Sequence, residues 1–83
     1  MKISFIGAGS VQFTTAVVKD LATFPAFNEA EICLMDINED HLKKITACVE
    51  KIKAEMDAKF SITSTMDRIE ALKGADGVLC TVF

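Results

Sequence analysis

The 83-residue chain is poor in the residues that break folded structure, with one proline, four glycines and no tract of low complexity. Its 51% hydrophobic and 25% charged residues suit a packed core, which excludes a disordered segment. A basic stripe is also missing. Nine basic residues face twelve acidic ones, and the net charge of -3 argues against a nucleic-acid surface. No run approaches the ~20 apolar residues that cross a bilayer. The opening MKISFIGAGSVQ begins like a secretory signal, but Ser4 and two glycines interrupt it and Asp20 follows. A soluble, cytoplasmic protein without nucleic-acid or membrane partners is expected. Cys33, Cys48 and Cys80 are odd in number, widely spaced and set among apolar neighbours. They read as buried thiols, not as a disulfide framework or a zinc knuckle.

What is present is an alternation of two periodicities. KISFI at 2–6 is an apolar run of β-formers closed by Gly7-Ala8-Gly9, a strand entering a tight turn. From Val11, the residues Phe13, Val17, Leu21 and Phe24 recur at three- and four-residue steps, which predicts an amphipathic helix ended at Pro25. Residues 31–37 form a second strand, apolar enough to be covered on both faces. Asn38 then caps a helix that carries Leu42, Ile45, Val49, Ile52 and Met56 on one face and should run to about Ala58. Phe60–Thr65 reads as a third, less buried strand. Asp67 with Glu70 forms a capping box for a short helix ending near Gly74, and Gly77–Phe83 is a fourth strand.

Every helix therefore follows a strand. Handedness rules predict an α/β, Rossmann-type parallel sheet with helices on both faces and strand order 3-2-1-4. The chain stops on Phe83 in or at the end of a buried strand. A half sheet with an uncovered edge is marginal alone, so residues 1–83 are expected to be the amino-terminal part of a larger nucleotide-binding domain.

The glycine turn is the first chemical signal. Gly7 permits the tight turn, Gly9 leaves room for a pyrophosphate, and the amides that open the next helix face that anion. Gln12 stands where the simplest fingerprint has a third glycine, whose purpose is close helix–strand packing and not phosphate contact. Ser10 could donate to a phosphate oxygen or cap the first turn. Asp36 at the end of strand two is the second signal. A carboxylate there accepts ribose hydroxyls and repels a 2′-phosphate, which favours NAD over NADP and leaves FAD open on these residues alone. The separation from the glycines is long, and the 24–30 connection accounts for it. His41, in the first turn of its helix, reads as a solvated surface residue rather than a base. No nucleophile–base pair and no paired carboxylates stand at a strand end.

GAGSVQFT, the helix after it and EICLMDIN at strand two resemble the amino terminus of the NAD- and metal-dependent family 4 glycoside hydrolases, the α-galactosidase/α-glucosidase branch in particular. Lactate and malate dehydrogenases share the Gly-Ala-Gly start, but they usually place glycine where this chain has Gln12. Their second helix also carries a Gly-Glu-Ala-x-Asp-Leu pattern, against HLKKITACVEKIKAEM here. The resemblance implies an NAD-dependent glycosidase acting on a small-molecule glycoside, a homo-oligomer when full length. In that family NAD transiently oxidises the sugar C3 hydroxyl and a divalent metal, typically Mn2+, stabilises the resulting enolate. A base removes the C2 proton, the glycosidic oxygen leaves, water adds, and the hydride returns to C3. The metal-binding cysteine and histidine and the tyrosine base lie farther along in that family, so none of these cysteines carries over. The nucleotide contacts transfer to Gly7, Gly9, Ser10 and Asp36, with Thr81 and Phe83 near the nicotinamide-side ribose.

Overall fold

The computed structural model describes residues 1–9 and 11–80. Four parallel strands, β1 (Lys2–Ile6), β2 (Glu31–Met35), β3 (Ser61–Thr65) and β4 (Gly77–Cys80), form one sheet in the order β3-β2-β1-β4. Register pairs Phe5 with Leu34 and Leu79, so these side chains share one face, while Ser4, Cys33 and Val78 share the other. Helices α1 (Val11–Ala22) and α2 (Glu39–Glu55) cover the first face, and α3 (Arg68–Leu72) lies on the second.

The two faces are unequally filled. Ile3, Phe5, Ile32 and Leu34 meet Val18 of α1 and Ile45, Val49 and Ile52 of α2 in the main core. Each such side chain contributes roughly 1.5–3 kcal/mol on full burial. Among the described residues the opposite cluster holds only Cys33, Met35 and Ala71, with Ile6 against it. Ser4 is fully buried on that face, and its hydroxyl donates to the Ala71 carbonyl, which fixes α3 over β1. Beside it, at the same carboxyl end of α3, the Lys2 ammonium donates to the carbonyls of Glu70 and Lys73 at 3.0 and 2.8 Å. These last-turn carbonyls have no partner within the helix, so the cation serves as its cap.

Element order and sheet order match the sequence reading, and several boundaries differ for identifiable reasons. Helix α1 ends at Ala22, and the chain makes a 3₁₀ turn at Pro25–Phe27 before β2. Its core-facing residues are Thr14 and Val18, whereas Phe13 and Phe24 are exposed. A stripe of Thr14, Val17, Val18 and Leu21 has the proper helical spacing, and the threonine disguises it. Strand β2 stops at Met35, two residues short of Ile37, because the Asp36 side chain turns back onto its neighbours and Ile37 is left 81% exposed. Phe60 precedes β3 instead of opening it, and it is buried in the main core.

Helix α2 ends at Glu55, not Ala58. The amides of Asp57 and Ala58 donate to the carbonyls of Ala54 and Lys53, a Schellman closure with Asp57 in the left-handed region at φ 51°. The reciprocal capping box at α3 is not formed. Asp67 accepts from the Ile69 amide, and its own amide donates to Thr65 Oγ1 rather than to Glu70. Of the three cysteines only Cys33 is buried; Cys48 is half-buried and Cys80 is exposed on β4. The fourth strand is described as far as Cys80. No helix among the described residues is long and apolar enough to cross a membrane.

Thr14 is fully buried, and its hydroxyl donates to the Ala8 carbonyl at 2.9 Å. Thr14→Val keeps the shape but removes that donor. It is expected to lower stability by about 1–3 kcal/mol, the cost of an unpaired buried acceptor. Chemical denaturation of the wild-type and variant proteins measures this.

Candidate functional site

The carboxyl ends of β1 and β2 bring the sequence-predicted residues together. Gly7 leaves β1 with φ 76°, a left-handed conformation that glycine adopts without strain. The Ala8 amide donates to the Met35 carbonyl at 2.8 Å, tying the turn to the end of β2. Thr14 holds the Ala8 carbonyl from the other side. The turn is thus fixed by a strand and by the helix it precedes.

Asp36 is half-buried just past β2, and both of its oxygens are engaged. Oδ2 accepts from the Gly9 amide at 2.8 Å, and Oδ1 accepts from the Asn38 amide at 2.8 Å. Asn38 in turn accepts from the His41 amide and caps α2. One carboxylate therefore joins the turn before α1 to the turn before α2. A carboxylate offers about four acceptor positions, so positions remain on Asp36 for hydroxyl donors from outside.

Gly9 has a role that the sequence did not disclose. A Cβ built there would stand 2.6 Å from Asp36 Oδ2 and 2.8 Å from His41 Cβ. The space attributed to an approaching pyrophosphate is bounded by the protein's own side chains, and the glycine is required for the Asp36 contact itself. His41 keeps an exposed side chain, as expected, but its Cβ lies against the turn. Reasoning from sequence missed both His41 and Thr14. The signal for Thr14 was its place in the α1 stripe; no local pattern announced His41.

The twelve-residue α1 opens directly behind this turn and has no acidic residue in its first turn. Its leading amides and the positive end of its dipole are suited to an anion. A flexible-φ turn, a helix amino terminus and a carboxylate at the next strand end are together the parts that hold a dinucleotide, and the residues present fit one. Ser10, Thr81 and Phe83, the other expected contacts, lie outside the described residues. Among the described residues no group of three His, Cys, Asp or Glu could hold a metal ion.

This sheet order and turn define a Rossmann-like domain. The sequence model of the family 4 glycosyl hydrolases matches residues 2–83, and the chain belongs to that family. An α-galactosidase of Rhizobium meliloti (strain 1021) is 33% identical over 98% of the chain and 16% of its own length. An α-glucosidase of Erwinia rhapontici is 35% identical over 98% of the chain and 18% of its own length. The chain thus spans under a fifth of the curated relatives it matches. A crystal structure of a 6-phospho-α-glucosidase from gut microorganisms, in complex with NAD and Mn2+, aligns with a TM-score of 0.80. It is 21% identical over 98% of this chain and 18% of that one, a likeness of fold.

Gly9→Ala is expected to break the Gly9–Asp36 bond and destabilise the protein, since neither neighbour of the new methyl can retreat without opening a turn. Gly77→Ala, with nothing within 4 Å of the added Cβ, is the control and should stay within about 0.5 kcal/mol of wild type. Paired thermal melts check both.

Proposed function

We propose that the protein is an NAD-dependent glycosidase of the α-galactosidase/α-glucosidase type, and that this chain supplies its nucleotide half-site. Gly7, Gly9, Ser10 and Asp36 take the adenosine and pyrophosphate side, with Thr81 and Phe83 toward the nicotinamide. The observation that carries the reading is Asp36, set at the end of β2 and bonded to the turn in front of α1. Membership of the family and the activities of the two relatives support the substrate class, a small-molecule α-glycoside.

When bound, NAD supplies a hydride acceptor for a sugar C3 hydroxyl, and Mn2+, held by residues beyond the described ones, supplies Lewis acidity. The chain's own part is binding and orientation. The amides opening α1 hold the pyrophosphate, and Gly7 lets the backbone turn beneath it. The free acceptor positions of Asp36 take the ribose hydroxyls, and its charge disfavours a 2′-phosphate. Because Asp36 is already held by two amides, it meets the ribose with little reordering.

Asp36→Asn is expected to weaken NAD binding about tenfold to a hundredfold, the usual worth of hydrogen bonds to a charged group, and to narrow the preference over NADP. Titration with both nucleotides reads this. A general loosening of the turn would weaken both nucleotides alike, so an unchanged preference would remove Asp36 from the nucleotide site.

Turnover in deuterated water tests the reaction. Oxidation at C3 makes the C2 proton exchangeable, so the released sugar should carry deuterium at C2 with no accumulation of NADH. A glycosidase working through two carboxylates attacks only the anomeric carbon and leaves C2 untouched. Product without C2 exchange, or NADH rising one-for-one with product, would overturn the proposal.

A further inference from the structure

Two of the hydrogen bonds at the turn meet on one peptide group. The Ala8 carbonyl accepts from Thr14 Oγ1 at 2.9 Å, and the Gly9 nitrogen bonded to that same carbonyl carbon donates to Asp36 Oδ2 at 2.8 Å. The C=O and N–H of a trans peptide point in opposite directions from one rigid plane. Thr14 and Asp36 therefore hold opposite edges of a single plane, one from within α1 and the other from the end of β2.

Such a plane turns over by rotation at Ala8 ψ and Gly9 φ together, and glycine accepts φ of either sign. The residue that makes room for Asp36 thus also leaves this peptide free to turn. The Ala8 amide, tied to the Met35 carbonyl at 2.8 Å, fixes the preceding peptide and not this one. Ala8 and Thr14 are both fully buried, so no solvent competes for the Ala8 carbonyl. A turned peptide would break the Thr14 bond and present carbonyl oxygen to the Asp36 carboxylate, oxygen against oxygen. The carboxylate would then leave its place at the turn.

We propose that Thr14 is a positioning residue of the nucleotide site. Through the Ala8–Gly9 peptide its hydroxyl keeps the Gly9 amide on Asp36, and so sets the direction of the carboxylate that meets the ribose. The proposal rests on the cofactor reading above. Thr14 itself is buried inside the protein and acts wholly through that plane. The hydroxyl that hides the core stripe of α1 is thereby part of the cofactor site.

The test measures the NAD dissociation constant of the full protein as wild type, Thr14→Val, Thr14→Ser, Asp36→Asn and the Thr14→Val/Asp36→Asn double variant. Thr14→Val is expected to weaken NAD about fivefold, the worth of one hydrogen bond, and Thr14→Ser, which keeps the hydroxyl, to stay within about twofold of wild type. In Asp36→Asn the carboxamide offers both a donor and an acceptor, so it suits either orientation of the peptide. Adding Thr14→Val to Asp36→Asn should therefore cost less than about a further twofold, a coupling that a residue serving only the stability of the fold does not show. Equal cost of Thr14→Val in both backgrounds, or unchanged NAD binding by Thr14→Val, would overturn the role of Thr14 and leave the NAD site standing. Should Thr14→Val not fold, Thr14→Ser decides. A loss of about fivefold with the hydroxyl retained would assign the effect to the missing methyl and overturn the proposal. Asp36→Asn binding NAD as tightly as wild type would overturn the site and this inference together.

Discussion

The Asp36 carboxylate joins two turns that are far apart in sequence, and the geometry of the site follows from that junction. The Gly9 amide comes from the end of the first strand and the Asn38 amide from the start of the second helix, and each donates to a different oxygen of the same group. The carboxylate is half-buried and doubly bonded, so its direction is set before any ligand arrives. Glycine at position 9 is the steric condition for this arrangement, since any side chain would occupy the place of Oδ2. Construction of the turn and, in the proposed function, recognition of a ribose both fall to this one residue, so neither can be altered alone.

Around that junction the sheet is finished on one side and sparse on the other. Helices α1 and α2 close a continuous core over Phe5, Ile32 and Leu34, while α3 brings little more than Ala71 against Cys33 and Met35. Polar contacts do the rest on the sparse side, with Ser4 and Lys2 both holding carbonyls at the carboxyl end of α3. Val78 and Cys80 on the same face of β4 stay exposed, beside a helix too short to reach them. Among the described residues no buried side-chain polar atom is left without a partner, so the sparse face lacks apolar cover but not hydrogen bonds.

Most of the fold was legible because its signals are local. Alternation of apolar runs with helical spacing gave the element order, and handedness turned that order into a sheet. Legibility failed where a polar side chain replaced an expected apolar one or where a tertiary bond ended an element. Thr14 hides the core stripe of α1 because its hydroxyl is satisfied by a carbonyl six residues back. Asp36 ends β2 by bonding outside the ladder, which apolar content through Ile37 could not foretell. In the site, Gly7 and Asp36 were readable from type and position. The packing of Gly9 against Asp36 and His41 was not, because it links residues 27 and 32 positions apart through a geometry that no local pattern encodes.

The place of β1 has a bearing on the order in which the protein takes shape on the ribosome. Strand β1 is an inner one, flanked by β2 and β4, and the Lys2 backbone exchanges bonds with Asp76 at the head of the last strand described. One flank of β1 can be closed once about thirty residues have followed it. The other must wait for more than seventy, because its partner is encoded at the far end of the segment. Loop closure over that distance is slow relative to local helix formation. During the interval the nascent chain carries a short apolar strand with one open edge. The charged Lys2 at its start and the buried polar Ser4 in its middle are then what keep that strand from offering an unbroken apolar ribbon to other chains.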